Sequence, residues 1–189
     1  MQIEAQRFLR LTEKARTLVF LDIEATGLRG DYNSVLVVSI RPYGGEPESF
    51  VVDRPGKDKA VVKAAKARLE EADAWVTYYG KGFDILMLNT RLLRWGIDPI
   101  EKRPHIDMYW TLKSNILTAH RSQGHLLSWL KTPENKMSVS AEAWNEALSG
   151  ADEDGRKALR TMVERCESDV AGLEALYRRT SHLIRDITR

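Results

Sequence analysis

Four carboxylates stand where a folding chain has little reason to keep them unless they do chemistry. Asp22 and Glu24 close the run TLVFLDIE, Thr17 to Glu24, which is almost continuously apolar up to those two acids. On a strand, residues two apart project from the same face, within about 7 Å of each other. Two like charges at the end of a buried strand are costly unless something positive lies between them, and a divalent cation is the usual solution. The alternative is a strand that stops at Leu21, with both acids in a loop. Asp84, in YYGKGFDILML, opens a predicted helix, where an acid can equally cap the first turn or favour the helix dipole. Asp169 falls three after Cys166 and four before Leu173, on or beside the inward stripe of a long helix. An acid there needs a partner, and reaching water or pairing with Arg165 would serve as well as a metal.

Brought to one edge of a sheet, these four acids suit magnesium or manganese, hard cations that prefer carboxylate and water oxygens. Two such ions about 4 Å apart would clamp the attacking and leaving oxygens of an in-line phosphoryl displacement. The chemistry is then phosphodiester hydrolysis.

The elements that must position these acids can be read from periodicity. SVLVVSIRPY and SFVVD, separated by the turn-prone YGGEPES, predict two strands of a hairpin following the first strand. Lys57 to Ala72 is rich in strong helix formers, with Val61, Val62, Ala65 and Leu69 on one side. AWVTYY reads as a short strand, FDILMLNTRLLRWG as a helix ending at Gly96, and HIDMY as a further short strand. From Thr111 the chain is mostly helical, with loops near 131–138 and 148–155. Asp152 to Arg189 is the longest helical region, striped by Leu159, Met162, Val163, Cys166, Val170, Leu173, Leu176 and Tyr177. The order predicts an α/β fold, a mixed central sheet with helices on both faces, in one domain over 1–189.

Composition agrees. The chain has 189 residues, 43% apolar and 30% charged, enough for a real core without disulfides. One cysteine, no apolar run of membrane length and no signal-type start predict a cytoplasmic protein that does not enter a membrane. Lys and Arg number 29 against 27 Asp and Glu, so the balance does not mark a nucleic-acid binder. Basic residues do gather at Arg54 to Arg68, at Arg91, Arg94, Lys102 and Arg103, and at Arg178, Arg179, Arg185 and Arg189. Solvated helix faces explain any one cluster; the first, with the arginines of the helix after Asp84, could also track a phosphate backbone.

LDIEATGL, YYGKGFD and RCESDVAGLEALY resemble, in order and spacing, the three exonuclease motifs of the DEDD superfamily, whose fold is ribonuclease H-like. GFDILMLNTRLL, HIDMYWTLK and ESDVAGLEALY look most like its phage-associated and predicted 3′-to-5′ exonucleases. The resemblance implies two magnesium or manganese ions held by the catalytic acids Asp22, Glu24, Asp84 and Asp169, releasing nucleoside 5′-monophosphates from a 3′ end. It also implies nucleic-acid contacts at Thr26, Gly27, Leu28 and Phe83, the last two as apolar packing against the terminal base. Turn chemistry and core packing are the alternative readings of those four.

The chain departs from the family twice. Arg165 stands where one branch carries a water-orienting tyrosine, and Glu164 stands where the other carries histidine; an arginine cannot act as a base. Tyr79 replaces an asparagine of the second motif. Arg165 is expected to contact the scissile phosphate, with pairing to Asp169 or a shifted helix as rivals. His105, His120, His125 and His182 match no family position. Asp107 reads either as an acid supporting the metal ligands or as a strand-end cap, Cys166 as a small buried hydrophobe, and the five tryptophans as core. The expected activity is a metal-dependent 3′-to-5′ exonuclease acting on nucleic acid, single-stranded DNA before RNA, with a replication or repair partner left open. The alternatives are a weak or inactive nuclease-like domain that binds nucleic acid or such a partner, and a structure-selective endonuclease on the same fold.

Overall fold

The apolar run after Thr17 forms a strand, β1 (Leu18–Ala25), and it is the middle of a five-stranded sheet. The computed structural model describes residues 17–134, 137–149 and 152–185. On one side β1 pairs antiparallel with β2 (Val35–Pro42), which pairs antiparallel with β3 (Glu48–Val51). On the other it pairs parallel with β4 (Ala74–Thr77), and β4 with β5 (His105–Asp107), giving the order β3-β2-β1-β4-β5. Asp22 lies opposite Ser39 and Glu24 opposite Val37, so both acids are inside the strand, and the loop alternative fails. The register slips only after Glu24.

The helices follow the sequence pattern with shifted ends. α1 (Lys59–Glu70) buries Val61, Val62, Ala65 and Leu69, two residues shorter at each end than its composition suggested. α2 (Asp84–Arg94) stops two residues before Gly96, whose φ of 67° is the left-handed conformation glycine supplies at a helix end. The strand predicted over AWVTYY ends at Thr77, because Tyr79 turns left-handed at φ 67°. HIDMY divides: Asp107 closes β5 and its side chain accepts the Tyr109 N–H, starting α3 (Met108–Asn115). After α4 (Gln123–Trp129) and α5 (Ala141–Ser149), α6 (Glu153–Thr180) is capped by Asp152 and yields to a 3-10 turn at Ser181–Leu183. It therefore ends earlier than the region drawn to Arg189; 186–189 lie outside the described residues. Among the described residues no helix is long and apolar enough to cross a membrane.

Period-two alternation gives β1 two different faces. Val19, Leu21 and Ile23 join a cluster with Val62 and Leu69 of α1 and Leu88 and Leu92 of α2. Phe20 joins another with Leu126 and Leu127 of α4 and Val170, Leu173 and Leu176 of α6. Asp22 and Glu24 share the parity of Phe20, which aims them at α6.

A buried ion pair locks α1 to α2. Asp58, fully buried, accepts Arg91 Nε at 2.8 Å and Nη2 at 3.0 Å, and also the Trp95 indole at 2.8 Å and the Val35 amide at 2.9 Å. Burial alone would raise this carboxyl, but those donors outweigh it and hold it below the usual range. Arg91 also donates to the Gly30 carbonyl at 3.1 Å, so it braces the loop after β1 instead of tracking a phosphate backbone. Two residues of the first basic cluster are likewise engaged: Lys66 pairs with Glu70, and Arg68 with Glu48 and Glu71.

Removing one partner strands the other in the interior. Arg91→Ala is expected to destabilise the fold by about 3 kcal/mol or more, and Arg91→Lys to recover little, because lysine cannot make the paired contact. Chemical denaturation of the three proteins measures this, and a loss near zero would show that the Asp58 charge is not confined.

Candidate active site

Three elements converge at the end of β1. Asp22 and Glu24 come from the strand, and α6 presents Arg165, Cys166 and Asp169 along one inward stripe, one helical turn separating Arg165 from Asp169. Carboxylate oxygens of Asp22, Glu24 and Asp169 all lie within 4.8 Å of one another. Glu24 and Asp169 are buried and Asp22 is half-buried. Three oxygen donors at this spacing fit a hard divalent cation, and they include three of the four acids singled out in the sequence.

Asp84 stands beside this group as the buried first residue of α2. Burial pushes its carboxyl up to about 7, the charges of Asp107 and Glu24 add to that, and its own amide and the Ile23 amide oppose it. The structure thus places Asp84 in electrostatic contact with Glu24, outside the tight cluster of three.

Arg165 supplies positive charge to the acids directly. Its Nε lies 2.6 Å from Glu24 Oε1 and 4.0 Å from Asp169 Oδ2, and its guanidinium carbon lies 5.6 Å from the Trp144 ring. Of the readings open for this residue, pairing is what the geometry brings about, and with Glu24 more closely than with Asp169. Glu164 points its exposure to solvent, away from any buried role.

The sequence reading missed one contact. The Cys166 thiol lies 3.3 Å from the Asp22 carbonyl and 3.6 Å from Asp22 Oδ2 as donor to both. Burial, with Asp22 and Glu24 adding, raises the thiol well above its usual range and keeps it protonated. Cys166 is buried as expected, but it also holds an acid in place. A small polar-capable residue three before a candidate ligand on one helix was the available signal.

Asp107 is the strand-end cap. Besides capping α3, it accepts the Tyr79 amide at 2.9 Å and the Lys81 amide at 3.0 Å, fixing the turn that delivers Asp84. The histidines serve elsewhere: His105 bonds Thr77 at 2.8 Å and burial, with Lys81 nearby, brings it down to about 3, so it is neutral. The His120 and His125 rings meet edge to face at 5.2 Å, and His182 is exposed.

Leu28 and Phe83, from separate segments, line one groove of about 310 Å³ with Gly30, Gly82, Leu86 and Met87. Leu28 is 79% exposed at its rim, so core packing is not its role. Thr26 is committed to the turn: its amide donates to the Ser34 carbonyl at 2.9 Å and its hydroxyl accepts the Ser34 amide at 3.0 Å. Gly27 leaves room for Asn33, whose side-chain oxygen would stand 2.5 Å from any Cβ there.

The chain matches the RNase_H superfamily family model over residues 19–181. It is also similar to the structure of the family B DNA polymerase from the hyperthermophilic archaeon Pyrobaculum calidifontis, with 16% identity and a TM-score of 0.65. That likeness covers 87% of this chain and 24% of the polymerase chain, so it bears on the fold, and the chain spans about a quarter of the polymerase. No curated protein matches the sequence.

Because the folded state raises the Asp84 carboxyl, its ionised form opposes folding. That cost is absent below about pH 4, where the carboxyl is protonated in both states. It grows until the carboxyl ionises near 7 in the folded protein. In chelator, Asp84→Asn is expected to melt several degrees above the parent at about pH 8 and level with it at about pH 4. Thermal melts across this range measure the difference; equal melting at the higher pH would mean that the carboxylate carries no penalty.

Proposed function

The chain belongs to the RNase_H superfamily, and we propose that it acts there as a divalent-metal-dependent 3′-to-5′ exonuclease on single-stranded DNA. The observation that carries this reading is the set of Asp22, Glu24 and Asp169 oxygens within 4.8 Å at the end of a central strand, with buried Asp84 alongside. The groove bearing Leu28 and Phe83 supports it, since apolar packing against a terminal base tolerates any sequence. The structural likeness to a DNA polymerase, of whose chain it covers 24%, supports the fold of that reading.

In this reading Asp22, Glu24, Asp84 and Asp169 hold two magnesium or manganese ions. When bound, such ions supply Lewis acidity at the phosphate and make a water acidic enough to attack. The chain's own residues do the positioning. Cys166 fixes the Asp22 carboxylate, the Ile23 amide holds Asp84, and Leu28 and Phe83 bracket the terminal base. Gly27 keeps the turn after β1 close to Asn33. With Glu24 engaged as a metal ligand, Arg165 would be free to meet the phosphate, whose charge would replace the carboxylate's.

A second reading has one observation in its favour. Arg165 at 2.6 Å from Glu24 already neutralises part of the acid cluster, as expected of a nuclease-like domain that binds a strand and cuts it weakly or not at all.

A 5′-labelled single-stranded oligonucleotide with magnesium or manganese separates the two. The proposal expects a ladder shortening from the 3′ end, lost in chelator and in Asp22→Ala/Glu24→Ala. Internal fragments would indicate endonuclease action, and an intact strand would favour the binding domain. Arg165→Ala adds a second measure: by removing the competing cation it is expected to lower, several-fold, the manganese concentration that gives half of the full melting shift. An unchanged midpoint would show that Arg165 does not compete for the site.

A further inference from the structure

We propose that Tyr79, Tyr109 and Trp110, with Lys113, form a stacking platform for the single strand that leads to the carboxylate site. The inference rests on the exonuclease reading for its choice of strand.

The rings form one contiguous group on the surface. Tyr79 and Tyr109 centroids are 5.0 Å apart, Tyr109 and Trp110 5.1 Å, and Tyr79 and Trp110 6.0 Å. Yet Tyr79 remains 43% exposed and Trp110 42% exposed, so the cluster keeps much of its aromatic surface in water. Lys113 Nζ lies 4.5 Å from the Trp110 ring centre, placing a cation beside the rings where a phosphate would accompany a stacked base.

The platform is continuous with the site. The Tyr79 ring lies over Gly82, so closely that a Cβ there would come within 2.5 Å of it. Gly82 also lines the groove of Leu28 and Phe83, one residue before Phe83 and two before Asp84. A strand whose last base rests in that groove reaches the aromatic group by crossing Gly82.

The backbone of Tyr79 adds a separate argument. A φ of 67° suits glycine or asparagine and strains a bulky side chain. This chain holds a tyrosine there, clamped through its amide to Asp107 at 2.9 Å, and leaves its ring partly in solvent. Packing alone does not account for an exposed ring at a strained position; a contact with something outside the chain does. Unpaired bases offer flat faces to such rings and a phosphate to Lys113, whereas duplex bases have their faces covered.

The test is binding in an Asp22→Asn background with magnesium, using a labelled oligothymidylate of about a dozen nucleotides and a blunt hairpin duplex. Tyr79→Gly relieves the backbone and Trp110→Ala trims an exposed ring, so both are expected to fold, which melting confirms. Each is expected to weaken single-strand binding about 5- to 30-fold, with the duplex affinity unchanged. Strand-induced quenching of tryptophan emission is expected to shrink in Trp110→Ala. Unchanged affinity in both folded variants, or an equal loss for the duplex, would overturn the platform. Cleavage is read separately: a protein that binds through these rings but never shortens the strand keeps the platform and loses the exonuclease reading. One that shortens the strand while both variants bind like the parent loses only the platform.

Discussion

Carboxylates crowded into a weakly hydrated pocket repel one another, and most of this fold can be understood as the means of holding them there. Asp22, Glu24 and Asp169 gather their oxygens within 4.8 Å, with Asp84 near enough to feel the charge on Glu24. Such a set is stable only if the backbone is stiff and compensating groups are close. The stiffness comes from β1, held to β4 as far as Phe20 and to β2 through both acids, so neither can move away without breaking the ladder with β2. The compensation comes from Arg165, the protonated Cys166 thiol and the Ile23 amide. Crowded acids of this kind oppose stability locally, and the cost is met elsewhere in the structure.

Two further polar networks keep the surrounding loops in register. Asp58 gathers Arg91, Trp95 and the start of β2, and Arg91 reaches on to the loop that carries Leu28. Asp107 gathers the amides of Tyr79, Lys81 and Tyr109, which fixes both the turn before Asp84 and the helix that carries Trp110. Each is one buried acid with three or more donors. Because a buried carboxylate with a missing donor is costly, each network specifies a single arrangement of its loops. The groove and the aromatic surface are thereby held in fixed relation to the acids.

The positive charge at the site is a side chain on α6, which ties metal binding to the position of that arginine. A cation at the cluster would compete with Arg165 for Glu24. Leu28, Phe83 and the exposed rings leave apolar and aromatic surface beside these acids.

Period and composition were enough to read the strand ending in Asp22 and Glu24, the hairpin after it, the helix opening at Asp84 and the inward stripe of α6. These are local properties: alternation sets which residues share a face, and helix-forming runs set which residues share a stripe. Leu28 and Phe83 came forward only through the family resemblance, and the structure has both lining one groove. Pairings between distant segments were another matter. Arg91 looked like one of several surface cations until Asp58, 33 residues earlier, enclosed it. Arg165 was read first toward a phosphate, with Asp169, one turn away, as the rival partner, yet its shortest distance is to Glu24 on another element. Cys166 looked apolar because nothing nearby in the chain shows that Asp22 lies against it. Sequence order carries the spacing along each element; which charge meets which is decided only when the sheet brings α6 and β1 face to face.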